Sequence, residues 1–69
     1  MITLKDVTRL LGKQVTVDIP ALQGEQLVLV GYVLRWLDGR VYHQILLQGR
    51  AKEEYTVRMD NVSEVKDDG

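Results

Sequence analysis

The sequence predicts a mainly β fold, a short N-terminal helix followed by a five-stranded, strongly bent antiparallel small barrel. Three observations carry this expectation. Helical spacing of apolar residues is confined to the first dozen positions, the rest of the chain alternates apolar and polar residues in short runs, and Gly31 stands at the middle of the longest apolar run. Sixty-nine residues make one domain, and a chain of this size buries only about 60% of the surface that its unfolded form exposes.

Residues 1–12 are the helical segment. Thr3 and Asp6 have the spacing of a capping box with Asp in place of Glu, and Leu4, Val7, Leu10 and Leu11 recur at helical intervals until Gly12 offers a stop, so the helix is expected over about 3–11. Val15, Val17 and Ile19 then alternate with Thr16 and Asp18 as a half-buried strand, which Pro20 ends. Residues 20–25 read as a loop.

The runs 27–37 and 40–48 flank Asp38-Gly39, a dipeptide favoured in two-residue type I′ hairpin turns because both central residues take positive φ. That turn sets Leu37 opposite Arg40, Trp36 opposite Val41, Leu34 opposite His43, Tyr32 opposite Ile45 and Val30 opposite Leu47. One face, with Val28, is then almost wholly apolar. The other carries Leu27, Leu29, Val33, Arg35, Tyr42, Gln44, Leu46 and Gln48, mixed but still too apolar for open water. Gly31 is expected to kink the strand so that its two halves bury different faces. Tyr55, Val57 and Met59 alternate with Glu54, Thr56 and Arg58 as a fourth strand, Asp60-Asn61 turns, Val62 and Val65 supply a fifth, and residues 66–69 are expected to fray as an acidic tail.

Composition narrows the function classes. A formal charge of −1 and a pI near 5.7 give no global attraction to phosphate backbones or anionic lipid. Without cysteine there is neither a disulfide nor a Cys/His zinc site, so stability must come from packing or from oligomerisation. The N-terminus has no apolar leader core, and the run 27–37 is interrupted by Arg35 and short of the roughly 20 residues that a spanning helix needs. The chain is expected to be cytoplasmic and away from membranes.

The order "LLGKQVTVDI", Gly24, "GYVL" and Asp38 is similar to the first Sm motif, and "YTVRMDNVSEV" is similar in pattern to the last two strands of such barrels. The chain thus resembles the Sm-like and, more broadly, SH3-like small β-barrel proteins over nearly its whole length. Gly39, Arg40, Val41 and Tyr42 follow Asp38 where the Sm RNA pocket has an Asn, and Arg58 is followed by Met59 rather than glycine. The resemblance therefore implies the fold and a tendency to oligomerise more than RNA binding.

No catalytic, metal or cofactor-binding residue is expected. His43 and Ser63 are the only histidine and serine, and a Ser-His-acid triad would have to join a mid-strand position to a chain-end turn. His43 is expected to pack with its ring nitrogens satisfied locally. The glycines at 12, 24, 31, 39 and 49 are spaced as turns and bends, not as a phosphate loop, and Asp67-Asp68 reads as solvated tail. What remains is binding. The leading expectation is a non-catalytic regulatory module that binds a protein partner or itself through exposed strand edges and the outer hairpin face, where Leu29, Val33, Leu46 and Tyr42 lie. The alternative is a small RNA- or DNA-binding regulator that uses Arg35, Arg40, Tyr42, Arg50 and Lys52, arginines interleaved with an aromatic side chain.

Overall fold

The chain is fastened from its third residue. In the computed structural model, which describes residues 2–65, the Thr3 backbone N–H donates to Asp6 Oδ2 at 2.9 Å and the Thr3 hydroxyl donates to the same oxygen at 3.0 Å. This carboxylate sits in the first turn of α1, Leu4–Leu10, where the helix dipole favours negative charge. Gly12 follows with φ +80°, the left-handed conformation that ends helices. A helix of seven residues has little stability of its own. It is held by its buried side, where Val7 and Leu10 join Ile2 in the core, and by Arg9, which bonds Asp6 at 2.7 Å and both carboxylate oxygens of Glu64 at 2.6 and 2.9 Å.

Five strands follow: β1 Gln14–Val17, β2 Leu27–Leu37, β3 Arg40–Gln48, β4 Glu54–Arg58 and β5 Val62–Glu64, with single 3-10 turns at Pro20–Leu22 and Met59–Asn61. They form one antiparallel sheet in the order β4-β3-β2-β1-β5. Laid flat, five strands would hold the edges about 19 Å apart. Only the turn Met59–Asn61 separates β4 from β5, and so short a link spans at most about 14 Å, so the sheet must roll. Val57 of β4 and Val62 of β5 accordingly meet in one core with Val15, Val17, Leu27, Leu29, Ile45 and Leu47. The roll stays open, because no ladder joins β4 to β5 among the described residues. Val65 lies just past β5 and is exposed, and the expected tail at 66–69 lies outside the described residues.

The turn is of the expected kind: Asp38 has φ +51° and Gly39 φ +79°, the two positive values of a type I′ turn. Pairing follows the expected register from Leu37↔Arg40 to Tyr32↔Ile45 and on to Gly31↔Leu46. There the expectation fails. Val30 has no partner on β3, and Leu29, not Val30, lies opposite Leu47. This β-bulge exchanges the two faces for everything before it, as any one-residue slip must. Leu27 and Leu29 therefore point with Ile45 and Leu47 into the core, and Val30 is exposed. The irregularity is one residue before Gly31, whose own φ is not in the left-handed region. The Leu46 side chain lies over Gly31, with Cδ1 3.0 Å from where a Cβ would stand.

Two outcomes are expected. Gly39→Ala should cost about 1 to 2 kcal/mol through its left-handed φ, while Gly31→Ala, which asks only a small movement of the end of the Leu46 side chain, should cost less in the same denaturant titration. The second concerns acid. The Arg9 guanidinium and then the Thr3 backbone hold the Asp6 carboxyl down from an ordinary 3.8 to about 2, and Arg9 also lowers Glu64 from its ordinary 4.5. Because both folded values lie below the unfolded ones, the stability these groups contribute is complete above about pH 4.5 and is lost as pH falls toward 2. The denaturation midpoint should drop across that window, and Arg9→Met should flatten the drop. An acid slope unchanged in Arg9→Met would show that the pair is not coupled to folding.

Candidate functional site

Strand lengths determine where the surface of interest lies. β1 pairs with β2 only at Leu27 and Val28, and β4 covers β3 only from Gln44 to Gln48. Beyond those points residues 34–37 and 40–43 are strand-paired only with each other among the described residues, and the hairpin projects as a two-stranded ribbon. The molecule measures 42 × 24 × 20 Å, and its 12.0 Å radius of gyration exceeds the roughly 11 Å of a compact domain of this length.

The ribbon carries the most exposed large apolar side chains among the described residues. Trp36 is 72% exposed, Leu34 60%, Leu37 57% and Val41 53%. Trp36, Leu34 and Val41 share one face, since Trp36 is opposite Val41 and Leu34 is opposite His43. This face is buried only near the body, where Tyr32 packs against the core. At the neck between body and ribbon the Tyr32 hydroxyl is hydrogen-bonded to His43 Nδ1, and the two rings stack with centroids 5.9 Å apart. The pair stiffens a ribbon that would be marginal as two bare strands.

The other face holds Arg35 opposite Tyr42 and Val33 opposite Gln44. Arg35, Leu37, Tyr42 and Gln44 line a shallow hollow of about 180 Å³. Gln44 Oε1 is buried with no hydrogen-bond partner among the described residues. At the free margin of β3, just past the end of β4, a cleft of about 300 Å³ is bounded by Arg40, Tyr42, His43, Arg58, Met59 and Asp60, with Arg58 and Asp60 3.7 Å apart.

The residues expected to bind are divided by this geometry. Of Leu29, Val33, Leu46 and Tyr42, the bulge removes Leu29, which is 0% exposed in the core. Val33 and Leu46 lie half-buried on the Arg35 face, and Tyr42 lies with them near the tip. Of the basic set, Arg35, Arg40 and Tyr42 cluster at the ribbon, whereas Arg50 and Lys52 lie in the loop after β3, about 30 Å away along the strand. They form no single patch. Unanticipated contributors are Leu34, Trp36, Val41 and Arg58. Among the described residues no three His, Asp or Glu side chains gather to hold a metal ion, and no helix is long and apolar enough to cross a membrane.

Leu29→Ala should therefore cost about 2 to 5 kcal/mol as a buried truncation, while Leu34→Ala, on the exposed ribbon, should stay within about 0.5 kcal/mol of the parent in the same denaturant titration. Equal losses would mean that the ribbon is packed in solution. No protein-family model, curated protein or solved structure matches this chain.

Proposed function

We propose that this chain is a non-catalytic protein-interaction module of the cytoplasm, regulatory in its use, that engages its partner with the distal half of the β2–β3 hairpin. The observation that carries this reading is the cluster of Leu34, Trp36 and Val41 on one face, with Leu37 beside the turn on the other, all more than half exposed, on a ribbon that stands clear of the body. Burying a side chain of that kind is worth roughly 1.5 to 3 kcal/mol. Leaving four in water forgoes an amount comparable with the whole stability of a small domain, and contiguous patches of this sort mark contact surfaces. Tryptophan at the centre of a patch is also the side chain most often found carrying binding energy. The resemblance to Sm-like and SH3-like proteins agrees with a binding role.

A second reading rests on Arg35 and Tyr42, which stand side by side on the opposite face with Arg40 nearby. An arginine beside an aromatic ring can hold a single strand by ion pairing and stacking. The net charge of −1 and the distance to Arg50 and Lys52 weigh against it.

A photo-crosslinking side chain placed at position 36 in the producing cells separates the readings. Protein adducts should form from position 36 and not from position 8, an exposed residue of α1. Adducts that are digested by nuclease would favour the second reading, and adducts no more abundant from position 36 than from position 8 would refute the first.

A further inference from the structure

We infer that the free edge of β2 is the pairing edge for a second copy of this chain, with the two β2 strands antiparallel and Leu34 facing Leu34 across a two-fold axis. This rests on the reading of the ribbon as the interaction surface and names its occupant. In a two-residue type I′ hairpin the residues flanking the turn form a hydrogen-bonded pair, and the pattern alternates from there. Backbone groups of Leu37, Arg35 and Val33 therefore point to β3, and those of Trp36, Leu34 and Tyr32 point outward. The other end of the strand has the same sense: beyond the bulge, the Leu29 N–H donates outward to the Lys13 carbonyl at 3.0 Å, and the Leu29 carbonyl accepts from the Gly12 N–H at 2.8 Å. Among the described residues no strand pairs with this edge between Leu29 and the turn. Exposed edges of this length are normally blunted by lysine, proline or a covering element; here only Arg35 is charged, and it lies on the opposite face from Trp36.

The sequence along the edge fits itself. The regular segment runs from Gly31, where the bulge ends, to Leu37, where the turn begins, and Leu34 is its midpoint. Pairing centred there sets Trp36 against Tyr32 of the second copy, an aromatic cross-strand pair, and Arg35 against Val33, so no like charges oppose. Centring one residue later would place Arg35 against Arg35. The segment stops where Gly12 and Lys13 of the second copy take over the edge at Leu29, so neither β1 strand is displaced, and Asp38 of one copy arrives beside Lys13 of the other. The free edge of β3 is shorter, because β4 pairs from Gln44 onward. A two-fold contact of this kind is closed and self-limiting.

The test is molar mass in solution by light scattering, up to about 1 mM chain, a concentration at which even weak association shows. The wild type should approach twice the 7.9 kDa of one chain, and Leu34→Lys, which opposes two cations on the axis at an exposed position, should return to the single-chain mass. Register is read by cysteine, of which the chain has none. With oxidised glutathione, Leu34→Cys should yield a disulfide-linked dimer, since paired antiparallel residues lie within disulfide range, and Val33→Cys should not. Should Leu34→Lys fail to fold, wild-type amide exchange decides: Tyr32, Leu34 and Trp36 should be protected only at high concentration, Val33 and Arg35 at every concentration. A wild type that stays at 7.9 kDa, a dimer that survives Leu34→Lys, or crosslinking equal from positions 33 and 34 would each overturn the proposal. A monomer that still forms adducts from position 36 would remove the second copy and leave the interaction reading standing; a monomer without adducts would remove both.

Discussion

Leu29 and Gly31 pair with the adjacent residues Leu47 and Leu46, and the extra residue between them, Val30, is the constraint on which the rest of the molecule depends. A strand alternates its side chains with period two, so one unpaired residue reverses the face of all that precedes it. Here the reversal sends Leu27 and Leu29 to the side on which α1, β4 and β5 deliver their own apolar residues. Without it, that side would receive Val28 and Val30, and the two leucines would face away. The bulge also increases local bend and twist, which helps a five-stranded sheet to roll far enough for the short turn Met59–Asn61 to connect its two edges.

The resulting core is small. Eleven apolar residues are buried, no buried polar or charged residue accompanies them among the described residues, and nothing covalent reinforces them. Stability in such a domain depends on contacts that close the roll. Several converge on one corner: Ile2 N–H donates to the Val62 carbonyl, Asp18 N–H to the Asn61 carbonyl, and Arg9 spans from α1 to Glu64 on β5. The Arg9 ion pairs are partly exposed, so their weight is modest and salt-dependent. They matter because they link the first element of the chain to the last strand.

Body and ribbon follow from one mismatch of lengths. β2 and β3 have 11 and 9 residues, while β1, β4 and β5 have 4, 5 and 3. Short neighbours can flank only half of a long hairpin. The covered half becomes core, and the uncovered half presents its apolar face and one backbone edge at the same place, because in β2 the residues whose side chains lie on the Trp36 face are those whose backbone groups point away from β3. A surface that offers apolar side chains and unpaired hydrogen-bonding groups together is suited to strand addition.

Much of this was legible in the sequence. The capping pair Thr3 and Asp6, the stop at Gly12, the Asp38-Gly39 turn and the alternation of 54–58 are local signals, and local chemistry suffices to place α1, the hairpin and β4. The register from Leu37 to Tyr32 followed from the turn alone. The length mismatch was also visible, and it was the one signal able to show that Trp36 and Leu34 stand in the open. The bulge was not legible: Gly31 marks its vicinity, but whether a strand inserts a residue there is decided by which face the rest of the chain can cover, a property of the assembled sheet. For the same reason Leu29 was expected at the surface and is in the core, and Arg50 was grouped with Arg40 although the strand between them carries one to each end of the molecule. Sequence determined the elements and their turns, because those depend on neighbours along the chain; tertiary structure decided which apolar face is core and which is surface, because that depends on what arrives from elsewhere to cover it.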